Sequence, residues 1–194
     1  MQSPTFYELV RPMERFQRIL QLGFIAAIAL YILMAYVLFG WPASNLSNWD
    51  PLLKNPVTVP LAVISFLTAV ASLWVPGLLL PDRQLRELSG RKPDPEALAR
   101  NPRTGRVDAD RLAKLKVLQP MEQRLLSLPG LSFTPFLVRL ALNESIALYG
   151  FVLSILSKTL LPVIPFAVVA IGLQLTVSPK LDSQFERAAR LGVY

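Results

Sequence analysis

The chain has 194 residues, of which 53% are hydrophobic and only 17% charged, with a mean hydropathy of +0.43 and a formal net charge of +7. It holds no cysteine and no histidine, which excludes disulfides, thiolate metal sites, a cysteine nucleophile, imidazole-bound zinc, a Ser-His-Asp triad and histidine haem ligation. The apolar residues gather in long uncharged runs that a soluble core of this size has no interior to bury, so the expected fold class is all-α: a polytopic integral membrane protein with four transmembrane helices and a mostly helical cytoplasmic loop.

Residues 1–18 read as a cytoplasmic amphipathic segment. Phe6, Tyr7, Val10, Met13 and Phe16 stand among Glu8, Glu14 and three arginines, and Pro12 is expected to interrupt this surface helix. Residues 19–40 carry no charge and match the roughly 20 residues that cross a bilayer. The run exceeds the roughly 7–15 apolar residues of a secretory signal, so it reads as an uncleaved anchor. Residues 41–56 form an exterior loop rich in turn residues, with Trp41 and Trp49 at the interface. The second span covers 57–80, with Pro60 in its first turn.

Residues 81–134 form the one sizeable polar segment, a basic cytoplasmic loop with short helices. Asp94-Pro95-Glu96 has the form of an N-cap followed by proline at the first helical position, predicting a helix to about Ala99. Asn101 to Gly105 reads as a turn. Val107 to Leu118 is amphipathic, and Arg111, Lys114 and Lys116 on its polar side are expected to meet anionic headgroups. A further amphipathic stretch, Met121 to Leu128, is expected to end at Pro129-Gly130. The third span is placed at 135–157 and the fourth at 160–177, with a tight turn between; residues 178–194 are a short charged cytoplasmic tail.

Orientation follows from the basic residues. Arg11, Arg15 and Arg18 precede the first span, twelve lie between Arg83 and Arg139, and Lys180, Arg187 and Arg190 lie in the tail; Lys54 and Lys158 alone fall in the opposite loops. Eighteen of the twenty then face the cytoplasm, which places both termini there and requires an even number of spans. Because the charge lies where membrane topology puts it, nucleic acid is not an expected partner; the lipid bilayer, other membrane subunits and a second copy are.

Within the spans, Glu144 is the one acid far from an end. At about 1.5 Å per residue from Pro135 it lies about 13 Å into a core of about 30 Å. A carboxylate there must be neutral, paired or facing a wet cavity; the expectation is a neutral carboxyl hydrogen-bonded to another helix. Gln174 joins it as the ion-binding candidate, and Ser65 and Thr68 are further donors at comparable depth. Beside it Asn143, Ala147, Gly150, Ser154 and Ser157 recur every three or four residues, a small polar stripe of the kind that packs against another helix.

The run Glu144-Ser145-Ile146-Ala147-Leu148-Tyr149-Gly150-Phe151-Val152, followed by Ser157-Lys158, resembles the ion-carrying helix of V-type rotary ATPase proteolipid subunits, where a glutamate stands a few residues before Leu-Tyr-Gly and the helix ends near a lysine. The resemblance implies that Glu144 binds and releases a proton and that Gly150 permits close packing. From the residues, the leading expectation is a non-enzymatic helical subunit or scaffold of a membrane complex, with no cofactor and no metal. The alternatives are a proton- or cation-handling protein using Glu144, and a lipid-acting enzyme using Asp94, Asp108, Asp110 or Glu122.

Overall fold

The computed structural model describes residues 3–40, 56–83, 85, 87, 94–100, 105–177 and 182–190. Among them the secondary structure is helical, apart from one isolated bridge between Arg100 and Val107. The helices are α1 (Pro4–Phe39), α2 (Thr58–Leu79), α3 (Pro95–Ala99), α4 (Ala109–Val117), α5 (Pro120–Leu125), α6 (Leu128–Ser157), α7 (Val163–Thr176) and α8 (Asp182–Arg190). Three helical stretches are long and apolar enough to cross a membrane: Pro4–Phe39, Thr58–Val75, and Pro120–Ser157, where α5 and α6 follow one another. The apolar helix α7 is shorter. The expected exterior loop lies outside the described residues except for residue 56.

The chain folds as two compact units. One comprises Met1–Arg18, Gly77–Pro135 and Pro179–Tyr194, the other Ile19–Pro76 and Phe136–Ser178. In the first, segments remote in sequence share one hydrophobic core. Phe6 and Val10, one turn apart on α1, join Leu80, Leu85, Ala99, Leu115, Leu118, Leu125 and Leu128, and α8 closes the core with Phe185 and Ala188. The Phe6 and Phe185 rings meet edge to face at 5.2 Å, a favoured aromatic arrangement. Arg187 Nε donates to Asp82 at 3.1 Å and its Nη2 to the Leu80 carbonyl at 3.3 Å. The segment read as a surface loop therefore has an interior of its own, and part of the tail is a helix packed into it.

Local signals in this unit formed as their chemistry dictates. Asp94 Oδ1 accepts the amides of Glu96 and Ala97 at 3.0 and 3.2 Å, with Pro95 at the first helical position. Asp108 Oδ1 accepts those of Asp110 and Arg111, both at 3.1 Å, so α4 begins at Ala109 and not at Val107. Gly105 takes a φ of +68°, and the Asp108 amide donates to the Ala99 carbonyl at 3.1 Å; the rest of the turn expected at Asn101 to Gly105, residues 101–104, lies outside the described residues.

Proline is where the structure departs from expectation. Pro12 lies inside α1, which runs unbroken from Pro4 to Phe39; the amphipathic segment and the first span are one helix. Likewise α6 begins at Leu128, with Pro129 in its first turn and Pro135 inside. A first-turn proline lacks only a donor that has no helical partner, and an interior one costs one hydrogen bond that flanking turns can bridge. In α7 the helix starts three residues later than the expected span, and Pro165 falls in its first turn.

The second unit is apolar outside and partly polar inside. Val37 is 73% exposed, Phe66 68% and Leu175 69%, whereas Gln21, Ser72, Asn143, Ser154 and Gln174 are buried. Its apolar contacts are made by small residues that let helices approach: Ala147 with Ala167 and Ala170 beside Ile28 and Ile146, and Ala35 with Leu160 and Val163. Large apolar side chains this exposed along successive helices are unlike a water-soluble monomer.

Candidate functional site

The second unit holds a buried polar chain with a member on each of α1, α2, α6 and α7. Ser72 Oγ on α2 donates to Asn143 Oδ1 on α6, and Asn143 Nδ2 donates to Gln174 Oε1 on α7 at 3.1 Å. Gln174 Nε2 donates to the Leu140 carbonyl at 3.3 Å. From α1, Gln21 Nε2 donates to the carbonyls of Gln174 and Val177 at 2.7 and 2.9 Å. Each side chain supplies what the next lacks, as buried amides require. Interhelical hydrogen bonds among membrane helices average about 0.6 kcal/mol, so the chain contributes more to register than to total stability.

Glu144 stands apart from that chain. Tyr31 Oη on α1 donates to its Oε1 at 2.9 Å, and the Tyr31 ring stacks on Phe151 at 5.6 Å. Glu144 is partly exposed, and among the described residues this phenol is its one hydrogen-bond partner. Gln174 is engaged with Asn143 and Leu140, Thr68 donates to the Ile64 carbonyl at 2.8 Å, and the Ser65 hydroxyl has no partner among the described residues. The two residues named together as an ion-binding candidate, Glu144 and Gln174, thus have different partners. Arg139, the cation nearest in sequence, donates through Nη2 to Thr176 Oγ1 at 2.8 Å.

The small stripe is covered within the unit. Asn143, Ala147 and Ser154 are fully buried, and a Cβ placed on Gly150 would lie 2.5 Å from Phe166 Cβ and 3.2 Å from Val163 Cα. Ser154 Oγ accepts the Val163 amide at 3.0 Å, satisfying an orphan donor at the start of α7. The left-handed φ of +54° at Lys158 turns the chain sharply between α6 and α7.

In the first unit, Arg111, Lys114 and Lys116 are exposed. Lys114 Nζ pairs with Glu8 Oε2 at 3.0 Å, and with Arg111 it borders an open groove of about 540 Å³ whose floor is Leu9, Pro12, Met13 and Phe16. Of the four acids considered for catalysis, Asp94 and Asp108 cap helices, and Asp110 is exposed in the first turn of α4. Glu122 is buried, with its oxygens accepting the Ser3 and Gln119 amides at 2.5 and 3.2 Å. Among the described residues no group of three metal-ligating side chains is assembled.

Burial alone would push the Glu122 carboxyl upward, but the hydrogen bonds from Ser3 and Gln119 outweigh it and hold it below the usual carboxylate range. A depressed folded value stabilises the fold above the unfolded value of about 4.3, and that contribution vanishes as pH falls through the folded value. Acid unfolding of the first unit should therefore be partly Glu122-dependent: Glu122→Gln lowers stability at pH 7 and flattens its decline below pH 4. An unchanged acid limb in chemical denaturation would contradict this.

No protein-family model matches the chain, and neither a characterised protein nor a solved structure matches it significantly.

Proposed function

We propose that the chain is an integral membrane protein of four transmembrane helices with both termini cytoplasmic, acting as a non-enzymatic helical subunit or scaffold of a membrane complex. The connectivity of the first unit supports the topology. Each apolar excursion, 19–76 and 136–178, leaves that unit and returns to it, which calls for an even number of crossings in each. The fourth crossing is α7, about 21 Å long at ~1.5 Å per residue, lengthened by the buried Leu160 and Leu161 ahead of it.

The subunit role is carried by one observation: Glu144, far from either end of a membrane helix, is partly exposed and satisfied by a single neutral donor. An intramembrane carboxyl costs several kcal/mol without further partners, and a helix from another subunit supplies them. Purification in mild detergent should yield a stoichiometric membrane partner, and Glu144→Leu should release it while the chain stays in the membrane. Recovery of the unsubstituted chain alone, or a partner retained in full by Glu144→Leu, would refute the subunit reading.

The second reading rests on the same pair. Tyr31 and Glu144 form a hydrogen bond whose carboxyl can exchange a proton, in keeping with the proteolipid-like run around Glu144. Proton flux in proteoliposomes that is abolished by Glu144→Gln, in a chain that purifies alone, would favour it.

A further inference from the structure

Glu144 leaves an accessible oxygen in the apolar outer surface of the second unit. Tyr31 Oη donates to its Oε1 at 2.9 Å, and Oε2 is neither bonded among the described residues nor enclosed. The helix α6 carries two stripes at this level. Asn143, Ala147, Gly150 and Ser154 are buried within the unit. Leu148, Val152 and Ile155 instead continue the line of Glu144 at intervals of four, four and three residues, and they are 39%, 37% and 45% exposed. At ~1.5 Å per residue, one outward strip of about 16 Å thus joins the free carboxyl oxygen to open apolar surface.

We infer that this strip docks a transmembrane helix of a different protein chain, and that the docked helix carries one lysine or arginine near its middle, paired with Glu144 Oε2. Charge complementarity selects the occupant. A carboxylate and a cation are each costly at that depth, and side by side each answers the other; lipid tails leave the free oxygen bare, and an amide bonds it without answering the charge. A second copy of this chain does not supply the cation. Residues 19–40, 57–80 and 160–177 hold no lysine or arginine, and Arg139 lies five residues, about 7.5 Å, nearer the end of α6 and is turned to Thr176. Tyr31, stacked on Phe151 at 5.6 Å, holds Oε1 and so keeps the other oxygen at the surface. The inference rests on the subunit reading and names the chemistry of the partner at that same carboxyl.

The full chain, carrying a donor fluorophore at a single introduced cysteine, can be reconstituted in phosphatidylcholine vesicles, whose surface lacks the net negative charge that attracts any cation. The probe is an acceptor-labelled leucine-alanine transmembrane peptide with one central lysine. Energy transfer should saturate at one peptide per chain, and Glu144→Gln should weaken the association about five- to thirtyfold, the worth of one polar contact between model membrane helices. Glutamine in place of the peptide's lysine should weaken it similarly, and leucine there should leave only random mixing. Glu144→Lys should reject the lysine peptide and bind one with a central glutamate, a gain that only a folded chain can show. Unsaturable transfer, equal binding of the leucine or glutamine peptide, or unchanged affinity in Glu144→Gln would each overturn the pairing. A partner that co-purifies in spite of such a result leaves the subunit reading standing, whereas recovery of the unsubstituted chain alone removes that reading itself.

Discussion

Replacing Gly150 by leucine prevents α6 and α7 from closing on one another and unfolds that half of the second unit. Even a methyl group there would meet Phe166 Cβ at 2.5 Å and the Val163 backbone at 3.2 Å. The near neighbours are a Cβ and a main-chain atom, so no flexible side-chain end can swing away. Overpacking by a few methylenes costs about 1–3 kcal/mol in cores that can shift; leucine adds more than a methyl, and the expected loss is at least about 3 kcal/mol. It also separates Ser154 from the Val163 amide, and Asn143 from Gln174, because all lie on the same face. Thermal unfolding in detergent reads the loss, and the milder Gly150→Ala should fall between. Wild-type stability in Gly150→Leu would mean that the two helices do not pack as described.

Phe185→Ala detaches the tail helix. Phe185 is 4% exposed in the core of the first unit, against Phe6, and truncating such a phenylalanine costs about 3–5 kcal/mol. The Arg187–Asp82 ion pair is itself exposed and contributes at most about 1 kcal/mol, so it cannot hold α8 without the ring. Backbone amides of α8 should exchange freely with solvent, and trypsin should cut after Arg187 and Arg190, while α2 and α7 keep their protection. Unchanged protection of α8 would contradict the assigned core.

Those two residues mark what a sequence can and cannot disclose. Signals that act within a few residues were legible: the Asp94 cap with Pro95, the uncharged runs, the three- and four-residue recurrence of Asn143, Ala147, Gly150 and Ser154. Proline misled, because its penalty is local and tertiary packing overrides it; Pro12 and Pro135 sit inside helices whose flanks are buried against partners. The core of the first unit was hidden because Phe6, Leu115 and Phe185 come from three distant segments, and a charged tail gives no sign of the interior it will join.

The polar chain in the second unit was half visible. Gln174 and Asn143 stood out, but Gln21 and Ser72 were missed, as was Tyr31 opposite Glu144. A usable signal was present: Ser72 lies eight residues before the end of the second span at Leu80, and Asn143 eight residues into the third from Pro135. Matching polar residues by depth from one side would have paired them. Tyr31 gave no such sign, since a tyrosine in an apolar run offers both a ring to pack and a hydroxyl to bond, and its place in the sequence does not say which helix that hydroxyl meets.

The central claim is the membrane topology, and the absence of cysteine from the chain makes its test clean. Single cysteines introduced at Asn48, Lys116, Lys158 and Arg190, each in an otherwise cysteine-free chain, can be challenged with a membrane-impermeant maleimide in sealed right-side-out vesicles. Four crossings with both ends cytoplasmic predict labelling at 48 and 158 without permeabilisation, and at 116 and 190 only after it. Labelling at 116 in sealed vesicles, or matching accessibility at 158 and 190, would contradict the account.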